Sequence, residues 1–170
     1  VSSGSQGLQA CARVAPRPAW LLQTGVSCVA TLGYDGHPGN GTQDAFASDP
    51  RVLYVSTHQY PLYPGTGHWR EQAAVNISLP PGSGDSVYAA ACTRLVEPIV
   101  QRFKPEFILV SLGFDAFWND PLAAMRLVEN GGGRITQGTM IMRRRNGKLV
   151  DLTRASGHTM RSIRRADMAM

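Results

Sequence analysis

Three short runs set the limits on what this chain can fold into. Residues 26–32 (VSCVATL), 52–57 (VLYVST) and 107–112 (FILVSL) are mostly apolar and do not alternate with charged positions. A strand with one wetted face alternates apolar and polar residues, whereas a strand that is apolar throughout is covered on both sides. Residues 75–79 (VNISL) read as one more short strand. Between these runs lie helical patterns. Residues 42–47 predict a short helix that stops before Asp49-Pro50. A longer helix begins at Asp85 or Ser86, either of which can cap it, and runs to about residue 103. Pro98 lies inside that helix and predicts a kink or a break. Residues 122–129 predict a further helix, stopped by Gly131-Gly132-Gly133. The expected class is α/β, a parallel sheet with helices on both faces. Ligands in such sheets gather at the carboxyl ends of strands, so chemistry is sought just after Leu32, Val55 and Leu112.

Charge divides the chain in two. Residues 1–133 hold 8 Lys/Arg and 10 Asp/Glu, whereas residues 134–170 hold 9 and 2. The reading is an α/β domain over 1–133 followed by a basic, divergent segment over 134–170, in which residues 148–152 read as one more weak strand and the last eighteen residues are expected to be poorly ordered or loosely docked. Arg143-Arg144-Arg145 is too short for a nucleic-acid site, and no aromatic residue beyond Trp118 is present to stack on bases. No apolar run approaches the ~20 residues that cross a bilayer, so no membrane partner is expected. Cys11, Cys28 and Cys92 form neither a CxxC pair nor a disulfide framework. Cys28 and Cys92 read as buried free thiols, which favours a reducing, cytoplasmic setting.

Asp35 and His37 stand one residue apart in a glycine-rich turn, and in extended geometry side chains at i and i+2 point the same way. Asp115 leaves the end of the 107–112 strand, which a parallel sheet can bring beside Asp35. Two carboxylates and an imidazole form a three-ligand set with an open position for water.

The residues around these positions resemble the histone deacetylase superfamily. Residues 34–46 (YDGHPGNGTQDAF) are similar to its metal-binding motif, and residues 49–59 (DPRVLYVSTHQ), 63–67 (YPGTG), 76–85 (NISLPPGSGD) and 111–115 (SLGFD) with Asp120-Pro121-Leu122 continue the likeness in order. The style is nearest to bacterial and class II-like members, including the acetylpolyamine amidohydrolase type. The resemblance implies an arginase/deacetylase-like fold, of which this chain would be the central portion. It implies zinc held by Asp35, His37 and Asp115. It also implies a potassium ion drawing on main-chain oxygens of Asp35 and His37, on Ser56 and on the Thr57 carbonyl. Tyr63 would line one wall of an acyl tunnel, and Gly113 would sit by its floor. His58 would be structural, and His68 and His158 would be surface residues.

The implied activity is zinc-dependent hydrolysis of acetyl-lysine or acetylpolyamine-type amides, with a histidine pair handling protons and a tyrosine hydroxyl steadying the oxyanion. The chain departs from that pattern. No histidine precedes His37, and no tyrosine follows Tyr88. Gly33 stands where the family has an acidic cation ligand, Pro38 where it has a second histidine, and Leu112 at a usually small position, where it is expected to crowd the metal pocket. Impaired catalysis is therefore expected, in a truncated or divergent chain. The alternatives are a non-catalytic relative that binds metal or acyl-lysine, and a basic-tailed interaction module. Missing outer strands would leave sheet edges open to self-association.

Overall fold

The computed structural model describes residues 16–71, 74–113, 115–128, 138–145 and 148–151, the last two stretches as backbone only. Helix α1 (Pro16–Gln23) leads into β1 (Val29–Tyr34), α2 (Asn40–Phe46), β2 (Val52–Gln59) and β3 (Val75–Leu79). A long helical segment follows, made of α3 (Asp85–Ala91), a π-helical turn (Cys92–Val96) and α4 (Glu97–Phe103). Then come β4 (Phe107–Leu112), β5 (Gly138–Arg145) and β6 (Lys148–Asp151). The described strands form one sheet in the order β3-β2-β1-β4-β5-β6. The first four are parallel, as their apolar sequences predict, while β5 runs antiparallel to β4 and β6 antiparallel to β5.

Alternation along each strand sends side chains to two separate cores. Val29 of β1 packs with Phe107 and Leu109 of β4 and with Leu21 of α1. Their neighbours Ala30, Leu32, Ile108 and Val110 face the other way, onto Tyr88, Ala91, Val96 and Val100 of the helical segment. Helices thus cover both faces. Burying each such aliphatic side chain is worth about 1.5–3 kcal/mol, so the two clusters hold the layers together.

The helical segment meets its proline without breaking. Pro98 has no N–H, and its ring would crowd the carbonyl four residues earlier in a regular helix. The π turn at 92–96 widens the helix immediately before it, so the axis continues to Phe103. Asp85 does not cap α3: Gly84 is the N-cap residue, and Asp85 Oδ1 accepts the Val128 N–H at 3.1 Å.

One other expectation needs correction. Residues 122–129 predict a helix, but 122–128 are irregular, with bridges from Arg126 to Gly84 and from Leu127 to Phe117. Their backbone groups find partners elsewhere. Ala124 N–H donates to Gln59 Oε1 at 2.7 Å, Arg126 N–H to the Ser83 carbonyl at 2.9 Å and Leu127 N–H to the Ala116 carbonyl at 3.1 Å. Bonds to other segments replace the ladder that a helix would have made. Part of the basic segment joins the sheet, and the weak strand expected over 148–152 is found over Lys148–Asp151. Residues 138–145 and 148–151 extend the sheet, because β4 would otherwise leave one row of backbone groups unpaired. The remainder of 134–170 lies outside the described residues, as do Cys11 and His158.

Candidate metal centre

Strand order places the site. From β1 the chain passes through α2 to β2 on one side, and it returns from β3 through the helical segment to β4 on the other side. Loops leaving the carboxyl ends of β1 and β4 therefore diverge and open a crevice between them. Tyr34 lies level with Thr57 and with Leu112 across the sheet, so the residues that follow emerge side by side. Asp35 and His37 leave β1, and Asp115 follows β4.

These three side chains converge. One ligand atom of each, a carboxylate oxygen or an imidazole nitrogen, lies within 4.8 Å of the other two. His37 Nδ1 is in direct contact with Asp115 Oδ2 and stands 3.8 Å from Asp35 Oδ1. Each carboxylate is fixed through its other bonds. Gly36 N–H donates to Asp115 Oδ1 at 2.6 Å, and His37 N–H donates to Asp35 Oδ1 at 3.0 Å. The Asp35 carboxylate also rests against Gly113, where an added Cβ would overlap Oδ2. At Gly36 a Cβ would stand 2.8 Å from Ala123 Cβ and 3.0 Å from Asp115 Cγ. Both glycines are demanded by close approach rather than by a turn.

The electrostatics are those of two acids sharing one base. Burial pushes the Asp35 carboxyl up to about 6, with the Asp115 charge adding to it and hydrogen bonds to His37 opposing it. Burial acts on Asp115 too, but bonds to His37, Asp35 and the Gly36 amide outweigh it and leave Asp115 below its ordinary value. His37 rises to about 9, first through its bond to Asp115 and then through Asp35, against the effect of burial. A group of this charge and donor chemistry (two oxygens, one nitrogen) fits a divalent cation such as zinc.

The other residues singled out from sequence take varied positions. Ser56 is buried, and its Oγ is 2.9 Å from His58 Nδ1. The Thr57 carbonyl accepts the Asp35 N–H at 3.3 Å. His58 is fully buried, with Nε2 2.7 Å from the Gly67 carbonyl, a structural role. Burial lowers its pKa, although the Gly67 and Ser56 contacts oppose that. Tyr63 is 65% exposed on the loop after β2. Leu112, expected to crowd the metal pocket, packs partly buried against the core. His68, expected at the surface, is half-buried, with its ring 5.0 Å from that of Tyr60 and 5.3 Å from that of Trp69. Cys28 and Cys92 are free and half-buried rather than buried.

Sequence reasoning missed the polar support around the site. Gln59 ties the two rims together, since its N–H donates to the Gly36 carbonyl at 3.0 Å while its side chain takes the Ala124 amide. Asn76 Nδ2 donates to Gln43 Oε1, Gln43 Nε2 donates to Glu71, and Glu71 accepts the Gly67 and His68 amides. The one signal available was a pair of polar residues, Asn76 and Gln59, inside strand sequences.

Among the described residues no helix is long and apolar enough to cross a membrane. The histone deacetylase domain family matches residues 15–169. A probable deacetylase of Archaeoglobus fulgidus is 41% identical over 140 residues, which are 77% of this chain and 39% of that protein. Histone deacetylase 10, chloroplastic, of Oryza sativa subsp. japonica is 44% identical over 111 residues, covering 61% of this chain and 25% of that one. The solved structure described as the HDA15 HD domain superposes with a TM-score of 0.60 at 35% identity, over 65% of this chain and 36% of that chain. This chain thus spans well under half the length of these relatives. A sheet with acidic and imidazole side chains converging at the β1/β4 crevice and a match over residues 15–169 lead to one assignment: the chain belongs to the histone deacetylase family.

Proposed function

We propose that these residues form the metal-holding part of a zinc-dependent deacetylase that acts on acetylated lysine or acetylpolyamine-type amides. The convergence of Asp35, His37 and Asp115 at the crevice carries this reading. When bound, zinc supplies Lewis acidity toward an acyl carbonyl and activates water near neutral pH. The chain's own residues prepare for it. Gly36 and His37 amides orient the two carboxylates, and Gly113 leaves room for Asp35. Tyr63 reaches into solvent from the adjoining loop and would meet the acyl chain of a substrate.

A potassium ion would draw on Asp35 and His37 main-chain oxygens, Ser56 and the Thr57 carbonyl. Its grip is weak here, because Gly33 offers no carboxylate and the Ser56 hydroxyl is already engaged with His58. Acid–base chemistry by the 170 residues alone is also weak. Losing a general acid–base group typically costs ~10²–10⁴-fold in rate, and losing an oxyanion donor ~10²–10³-fold. With no histidine before His37 and no tyrosine after Tyr88, a relative that holds metal or acyl-lysine with little turnover is the second reading. Self-association is supported by β3 and β6, each of which has one described neighbour in the sheet.

The test is metal content and turnover measured on one preparation. About one zinc per chain is expected by elemental analysis, lost in Asp115→Ala and His37→Ala. Turnover of an acetyl-lysine reporter is expected near background, returning when an upstream segment bearing a histidine pair is supplied. A metal-free wild-type protein after zinc loading would end the metal reading, and brisk turnover by the 170 residues would refute the account of impaired catalysis.

A further inference from the structure

Tyr88 is a buried phenol that the proposed chemistry does not use. It lies on α3, only 6% exposed, and its hydroxyl has no hydrogen-bond partner among the described residues. Buried hydroxyls are nearly always paired, so an orphan calls for an explanation. Its surroundings supply one. Tyr88 belongs to the core cluster that includes Ala116 and Met125, with Tyr34, Leu112 and Ala123 packed against it. Ala116 and Tyr34, which belong to or pack against the same cluster as the phenol, are the chain neighbours of Asp115 and Asp35. The Gly84–Arg126 bridge and the bond from Val128 N–H to Asp85 Oδ1 tie α3 to the loop that follows Asp115.

Charge points the same way. Burial raises the Tyr88 pKa most, and the Asp115 and Asp35 carboxylates then raise it further. The phenol stays protonated and is available as a donor. Asp115 has acceptor capacity left: Oδ1 takes one amide and Oδ2 faces His37, while a carboxylate offers about four lone-pair sites.

We propose that Tyr88 is a positioning residue for the metal centre, its hydroxyl donating through one water to the carboxylate side of the cluster and holding Asp115 in its ligating orientation. This rests on the metal reading above. Outer partners of metal ligands typically contribute 10–100-fold in metal affinity, and a loss of about that size is expected on removing this one.

The experiment compares wild type with Tyr88→Phe by zinc competition titration, by the melting temperature of the metal-free protein, and by the ultraviolet difference spectrum on adding zinc. Tyr88→Phe is expected to bind zinc about 10–100-fold more weakly with an unchanged metal-free melting temperature. Wild type is expected to show a zinc-induced tyrosine difference band that the variant has lost. Equal zinc affinity in the two proteins would overturn the proposal, as would weaker binding accompanied by a clear fall in metal-free melting temperature, which marks a merely structural role. If Tyr88→Phe does not fold, the wild-type band alone decides, and no tyrosine perturbation on zinc binding would overturn the proposal. Wild type that takes up no zinc would instead defeat the underlying metal reading, and this proposal with it.

Discussion

The Gly36 amide donates to Asp115 Oδ1 at 2.6 Å across 79 positions of sequence, and this bond joins the loop after β1 to the loop after β4. The candidate metal centre is therefore partly assembled by backbone in the absence of any cation. Under the proposed function Asp115 has two purposes, as a ligand and as the acceptor that joins the two loops.

Asp115→Asn and Asp115→Ala should separate these purposes. Asparagine keeps an oxygen for the Gly36 amide, so Asp115→Asn is expected to retain its fold while losing zinc. Asp115→Ala is expected to lose zinc and also about 1.5–3 kcal/mol of stability, the usual worth of a hydrogen bond to a charged group. Denaturant melts alongside metal analysis check the pair, and equal stabilities would show that the bond contributes nothing.

Gly113→Ala is a steric test. The added methyl would overlap Asp35 Oδ2, forcing the carboxylate out of the cluster or the strand end outward. Overpacking of this kind typically costs about 1–3 kcal/mol. Zinc affinity should fall together with stability, as read by titration and thermal melting; an unaltered affinity would mean that the crevice yields easily.

Acidity should oppose metal binding. In the metal-free protein His37 is raised to about 9, so it holds a proton throughout the neutral range, and a cation must displace it. Zinc affinity is expected to climb as pH rises from 6 to 9, with proton release on binding that calorimetry in buffers of different ionisation heat can measure. Stability of the metal-free protein moves in the opposite sense. A histidine whose folded pKa exceeds its unfolded value of about 6.5 contributes stability in full below that value, and the contribution fades as pH passes upward through about 9. A metal-free melting temperature flat across that window would contradict this assignment.

Gly33→Asp should be tolerated, and it should strengthen potassium binding. A Cβ at this position meets nothing nearer than Tyr54 Oη at 3.5 Å, an ordinary contact. Potassium-dependent stabilisation, absent or slight in wild type, is expected in the variant. A variant that melts well below wild type with no response to potassium would rule out the proposed cation position.

Sequence pattern carried the parallel strands and the convergence of Asp35, His37 and Asp115 because both rest on local signals. An unbroken apolar run such as 107–112 has few alternatives, and D-x-H in a glycine turn is compact. Residues 122–128 misled because helical spacing is visible in sequence, while two of the partners that captured their amides, Gln59 and Ser83, are far away in the chain. Strand β5 was hidden for a related reason, since its existence depends on the open side of β4. The Gln43–Asn76–Glu71 network and the orphan hydroxyl of Tyr88 leave no trace in spacing at all. Such polar groups become meaningful only when the packing around them is known.

The wide separation of Asp35 and Asp115 along the chain also has a thermodynamic outcome. An ion gripped by both would act as a removable staple, pinning shut a loop of about eighty residues that a denatured polypeptide would have to keep closed at considerable entropic expense. Chelation should then do more than silence chemistry: it should loosen the junction between the two halves of the sheet.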